Sequence, residues 1–176
     1  ITDPNDLPGL VEYAAQMEGV ELNETQYKQL QAIVTPYLQS EFFQRVQAKA
    51  TETWSIYQEL DFIVSAGDFL VNGLVDQVFV GQKGVEVVDF KSNWIRHDQV
   101  DEVGSSYEVQ LRLYAWAMAR EFGRPILTSQ AYFLIPNKLY PLQTKLLNVD
   151  ETEKWIVDTC QSIVDGERVG VEAFPI

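Results

Sequence analysis

Residues 72–91 read NGLVDQVFVGQKGVEVVDFK, a pair of apolar, β-branched runs joined by a glycine-containing turn. That is the pattern of adjacent antiparallel strands. Asp76, Asp89 and Lys91 stand where such strands would ordinarily carry valine. Alternation along an extended chain puts Asp89 and Lys91 on one face, roughly 7 Å apart. Asp76, between Leu74 and Val78 on its own face, is expected to enter an apolar layer. An ionised carboxylate there is costly unless it is paired or bound to a metal. Two carboxylates and a lysine converging on one spot describe a divalent-metal site with a cation beside it.

The flanking sequence supplies a scaffold for that pair. Residues 54–64 (WSIYQELDFIV) make a strand candidate with Ser55, Tyr57 and Glu59 on one face and Glu59 at its end. The run 69–80 is apolar on both faces and predicts an inner strand covered on both sides. Residues 92–106 (SNWIRHDQVDEVGSS) lack periodicity and predict a charged, mobile loop. From Tyr107 to Phe122 the apolar period becomes helical. Tyr107, Gln110, Leu111, Tyr114 and Met118 share one stripe, and Val109, Leu113, Trp116 and Ala117 build another. A helix apolar on nearly all sides is a buried one, and Gly123 with Pro125 ends it. Further strands are expected over 127–135 and 140–149, joined by a tight turn at Pro136-Asn137-Lys138. Asp150 with Glu153 resembles a capping box opening a last helix.

The first 50 residues read as helices opened at Asn5 or Asp6, at Asn23 and at Ser40. The order predicts an α/β fold, a mixed central sheet flanked by helices with an N-terminal helical segment. A length of 176 residues suits one domain. Within it, 1–50 would be the helical segment, 51–149 the sheet with its active-site helix, and 150–176 a C-terminal helix and tail. The terminal isoleucines suggest a piece of a larger protein.

Composition narrows the function. Hydrophobic residues at 46% and aromatics at 12% argue against disorder. No apolar run approaches the roughly 18 residues needed to span a membrane, and no signal peptide is present. Cys160 is alone, which excludes a disulfide framework or a cysteine cluster and reads as a packed core thiol in a cytoplasmic protein. The net charge of −13 is unlike the basic footprint of most nucleic-acid binders. A nucleic-acid partner would therefore be held locally, through metal ions and other domains.

Magnesium takes one or two protein carboxylates together with water and substrate phosphate, a demand that Asp76 and Asp89 on neighbouring strands meet. Such a metal can activate a water and stabilise charge on the attacked phosphate, and Lys91 beside it can lower the pKa of that water or neutralise the pentacovalent transition state. The plainer alternative is a structural Asp–Lys pair on an open sheet face. Glu59 is either a third acidic ligand, direct or through water, or a solvated glutamate. Gln110 and Tyr114 lie one helical turn apart, and a buried glutamine needs partners for its amide, which a nearby lysine or water would provide. His97 is the only histidine, so a histidine-cluster metal site is excluded. No G-x-S-x-G elbow accompanies it; with Arg96 it could touch a phosphate or simply be solvated. Gly81, Gly84 and Gly104 fit no phosphate-cradling pattern.

The segments Gly73-Leu74-Val75-Asp76-Gln77-Val78, Val87-Val88-Asp89-Phe90-Lys91-Ser92 and Tyr107-x-x-Gln110-Leu111-x-x-Tyr114-Ala115 together resemble the PD-(D/E)xK nuclease superfamily. They are most similar to the C-terminal nuclease domain of AddA- and RecB-type helicase–nucleases. The similarity in element order runs from the helical start through Glu59 to Gly166 and Phe174-Pro175. It implies a restriction-endonuclease-like fold and magnesium- or manganese-dependent hydrolysis of DNA in double-strand-break repair and recombination. It also implies helicase domains of the same chain, a partner nuclease or helicase subunit, and no membrane. By that resemblance Asp76 and Asp89 are metal ligands, with the Phe90 backbone carbonyl as a candidate third and Glu59 at a less regular acidic position. Lys91 is the catalytic lysine, supported by Gln110 and Tyr114. Two departures stand out. The family often has a metal-binding histidine on a helix before the first strand, and residues 1–54 contain none. At Gln77 the family often has arginine. The iron–sulfur branch needs four cysteines, and with one cysteine here it is excluded for this fragment. Readings of other classes are a nuclease-like scaffold that no longer cuts, and a metal-binding hydrolase of a non-nucleic substrate, which the charge favours.

Overall fold

The computed structural model describes residues 7–166. The proposed opening cap at Asn5 or Asp6 and the Phe174-Pro175 end of the family likeness lie outside them. The chain divides into two compact units, Ile1–Ala48 and Lys49–Ile176.

The first unit contains α1 (Leu7–Met17), α2 (Glu24–Leu38) and most of α3 (Glu41–Thr51). Asn23 caps α2 by accepting the Gln26 N–H, and the Gln26 side chain answers with the Asn23 N–H, a reciprocal box that satisfies two orphan donors. Ser40 starts α3, its Oγ accepting from the Phe43 N–H at 3.1 Å. The helical reading of this segment is borne out.

The second unit is a five-stranded sheet in the order β1-β2-β3-β4-β5. The strands are β1 (Ser55–Ala66), β2 (Phe69–Gly81), β3 (Gly84–Lys91), β4 (Ile126–Phe133) and β5 (Lys138–Pro141). The β3–β4 pair is parallel and the others are antiparallel. The crossover from β3 to β4 carries α4 (Val100–Ser105) and α5 (Glu108–Phe122), and α6 (Val149–Val164) follows β5. The mixed α/β sheet expected from the sequence is present.

One face of the sheet buries Phe62, Val75, Val78, Val85 and Val87 against Trp116, Ala117 and Met118 of α5 and Ile156 of α6. The Ser129 Oγ of β4 donates to the Leu111 carbonyl at 2.8 Å, pinning the helix to the strand. Gly123 closes α5 with φ of 59°, the left-handed cap that only glycine adopts without strain. Cys160 is half-buried against this same core.

Four readings need correction. Residues 92–106 are not an irregular loop: a 3-10 turn at His97–Gln99 leads into α4. Val100 there is fully buried with Leu111, Ala131, Phe133 and Leu142, an anchor too short for periodicity to reveal. The strand expected over 140–149 ends at Pro141, which has no N–H for a ladder. Leu146 and Leu147 reach the core from a 3-10 turn at Thr144–Leu147 instead. The cap of α6 is Asn148, whose Oδ1 accepts the Glu151 N–H at 3.2 Å, and Glu153 binds Arg120 and Trp116 of α5 rather than a cap. Finally, β2 is inner but not covered throughout, for Leu70 is 73% exposed.

Candidate active site

Strand pairing itself makes the opening in which the charged residues sit. The β2–β3 ladder stops at Gln77↔Val88, so Asp76 and Asp89 are the next residues in register but form no ladder pair. Beyond that point β3 stays paired only to β4, through Asp89↔Ala131, Phe90↔Tyr132 and Lys91↔Phe133. The Asp76 carboxylate occupies the vacated place, its Oδ2 accepting the Phe90 N–H at 2.7 Å.

The β1–β2 ladder lapses at the same level, passing from Gln58↔Gln77 to Leu60↔Val75 without a pair at Glu59 and Asp76. Glu59 there has φ of 52°, a left-handed value that costs a side-chain-bearing residue energy. Tyr57 packs its ring on Phe122 while Leu60 packs on the α5-side core, and Val75 and Val78 both belong to that core. Residues three apart cannot share a face of a regular strand. Both strands therefore slip one residue in phase at this level while keeping register. That corrects two readings: Asp76 is half-buried at a phase break rather than within an apolar row, and Glu59 is exposed in mid-strand rather than at a strand end. Gln58, Glu59, Asp76, Gln77 and Phe90 line a cleft of about 400 Å³ at the break. Gln77 is 5% exposed, and its Oε1 has no hydrogen-bond partner.

Lys91 Nζ lies 2.6 Å from Asp89 Oδ2, with side-chain exposures of 15% and 4%. The buried Oδ2 therefore has the Lys91 ammonium as its partner at ion-pair distance. Burial raises the Asp89 pKa above the ordinary carboxylate range; Lys91 opposes that shift and Asp76 adds to it. The same Nζ donates to Gln110 Oε1 at 2.9 Å, and Gln110 Nε2 donates to the Tyr114 hydroxyl at 2.8 Å. Tyr114 is held edge-on to Phe62, and its pKa is raised, first by burial. The Tyr107 ring lies 4.2 Å from Lys91 Nζ, and its hydroxyl donates to Asn93 Oδ1 at 3.2 Å. A groove of about 400 Å³ runs beside Gln110 and Tyr114, bounded by Phe62, Val71 and Leu113.

Asp76, Asp89, Lys91, Gln110 and Tyr114 thus form one connected cluster. Among the described residues no group of three His, Cys, Asp or Glu side chains gathers as an ion site; Glu59 lines the same cleft as Asp76. His97 is exposed at the start of its 3-10 turn, and Arg96 is paired with Asp98 at 3.2 Å. Asn93 and Ser129, which hold Tyr107 and α5, went unnoticed in the sequence. Their partners are distant in the chain, and no local spacing marks them.

A hard cation suits these donors. Asp76 and Asp89 offer carboxylate oxygens from neighbouring strands, and two protein carboxylates with water and phosphate complete a magnesium-type shell.

The sequence profile of the PD-(D/E)XK nuclease superfamily matches residues 3–174, and the chain belongs to that superfamily. Among individual proteins, it is similar to an ATP-dependent helicase/nuclease subunit of Alkaliphilus oremlandii, with 27% identity over 105 residues, 52% of this chain and 9% of the relative. The same-named protein of Syntrophomonas wolfei is 30% identical over 74 residues, 42% of this chain and 6% of the relative. That of Thermoanaerobacter sp. strain X514 is 26% identical over 77 residues, 44% and 6%. The chain spans less than a tenth of the length of these curated relatives. Among the described residues no helix is long and apolar enough to cross a membrane.

Proposed function

We propose that this chain is a magnesium- or manganese-dependent deoxyribonuclease domain that hydrolyses DNA phosphodiester bonds. The carrying observation is the strand fork, at which Asp76 accepts the Phe90 N–H and Asp89 pairs with Lys91. Asp76, Asp89 and the Phe90 carbonyl would hold the metal, with Glu59 acting at most through water. A bound divalent cation would supply Lewis acidity toward the phosphate. Lys91 is oriented by Asp89, Gln110 and the Tyr107 ring to place its charge where negative charge grows on the attacked phosphate. Tyr114 fixes the Gln110 amide and so acts through it.

The helicase/nuclease subunit names of its relatives support a role beside helicase domains and a partner subunit; cytoplasmic repair and recombination of double-strand breaks is what the family resemblance adds to that proposal. The test is cleavage of linear single- and double-stranded DNA with magnesium, manganese or EDTA, beside Asp89→Ala. Metal-dependent cutting that the variant lacks is the expected result. The second reading is a nuclease-like scaffold that no longer cuts, favoured by one departure: the metal-binding histidine frequent in the family has no counterpart in residues 1–54 of this sequence. Absence of cutting with either metal, alongside intact DNA binding, would sink the catalytic reading and leave that one.

A further inference from the structure

Trp94 is 78% exposed, the most exposed of the large hydrophobic side chains among the described residues. The other tryptophans have partners: Trp54 lies under Lys49, Trp116 donates to Glu153, and Trp155 lies under Arg112. The backbone carrying Trp94 is nevertheless fixed on both sides. Asn93 accepts from the Tyr107 hydroxyl, the Ile95 N–H donates to the Asn93 carbonyl at 3.0 Å, and Ile95 packs on the core around Val100 and Leu111. The tight turn between Asn93 and Ile95 presents the indole outward from an ordered frame.

That frame is joined to the candidate site, because the Tyr107 that holds Asn93 also stacks on Lys91. Three residues of chain keep Trp94 within about 11 Å of Lys91 between Cα atoms. Although the whole chain carries −13, residues 91–97 (KSNWIRH) contain basic groups and no acid. Among the described residues the Arg96 guanidinium pairs with exposed Asp98, a pairing that a phosphate can readily replace. An ordered, exposed aromatic interleaved with cations is the arrangement by which proteins stack unpaired bases while tracking the backbone.

We propose that Trp94 is a stacking platform for an unpaired base of single-stranded DNA next to the scissile phosphate, a substrate-positioning residue. The inference rests on the nuclease reading and assigns it a substrate form. A base inside a duplex has its faces covered, so the platform favours single strands or frayed ends.

The test uses the whole chain in EDTA, with oligo-dT and a blunt duplex as probes and binding read by anisotropy and tryptophan emission. Oligo-dT is expected to quench emission, and Trp94→Ala to remove that quench and weaken binding about tenfold. Trp94→Phe should keep most of the affinity without the quench. In the magnesium cleavage assay Trp94→Ala should raise KM on single strands while kcat changes little. If Trp94→Ala binds oligo-dT as the unaltered chain does, the platform is overturned. Metal-dependent cutting that persists in that case leaves the nuclease reading standing. A chain that neither cuts nor binds single strands overturns both.

Discussion

At the scale of single residues, Lys91 concentrates the connections of the site. It joins Asp89, Gln110 and the Tyr107 ring, so its removal both deletes a charge and leaves Asp89 buried beside nothing positive. Lys91→Ala is expected to lower kcat by about 10²–10³-fold, the usual loss on removing a donor to developing charge. Arginine should not rescue it, because its planar fork cannot replace a point charge held between three partners. Single-turnover cleavage would decide; an Ala variant within tenfold of the unaltered rate would remove Lys91 from the chemistry. Tyr114→Phe keeps the ring against Phe62 but strands the Gln110 Nε2 donor. A stability cost of about 1–2 kcal/mol follows, with a modest fall in rate, both measurable on one preparation by urea melts and cleavage.

At the scale of elements, two contacts set where α5 and α4 lie. Glu153 of α6 accepts from both Trp116 and Arg120 of α5, and Arg120 above all holds its pKa below the ordinary range, against the pull of burial. A carboxyl with a depressed folded pKa stabilises the native state above its unfolded pKa of about 4.3 and loses that contribution as pH falls through the folded value. Glu153→Gln is therefore expected to cost about 1 kcal/mol at pH 7, given the partial exposure of the pair. The difference from the parent chain should shrink on acidification below the ordinary carboxylate range. Denaturation across pH reads this directly, and a pH-independent difference would contradict it. Gly104 of α4 lies flush on the Tyr140 ring, where an added Cβ would come within 2.3 Å. Gly104→Ala should cost about 1–3 kcal/mol by overpacking and loosen the turn that carries Trp94. A melting temperature equal to the parent's would show that the ring yields freely.

At the scale of the whole molecule, a chain of net charge −13 is expected to neutralise few phosphates, and so to release few counterions, on meeting DNA. If Lys91 and Arg96 are the main phosphate contacts, log K against log salt should have a slope near −2, about −0.9 for each phosphate neutralised on duplex and less on single strands. Titration of oligonucleotide binding over a range of salt measures it. A slope several times steeper would reveal a basic surface that neither sequence nor fold suggests, and would weaken the view that other domains deliver the substrate.

What the sequence alone determined was the alternation and periodicity of the larger elements, together with the residue types of the candidate site. Asp76, Asp89 and Lys91 were legible because charge in a valine-rich strand is costly and must be compensated. Gln110 and Tyr114 were legible because helical spacing stacks them on one stripe. The tertiary structure alone decided the fork between β2 and β3, the phase slip at Glu59 and Asp76, and the anchoring of residues 92–106 through Val100, Asn93 and Ile95. Each depends on which distant backbone group a residue meets. A carboxylate that takes the place of a ladder partner looks, along the chain, the same as one that points into solvent. Local pattern fixes which face a side chain prefers, but only the packed sheet can show where that pattern breaks to open a site.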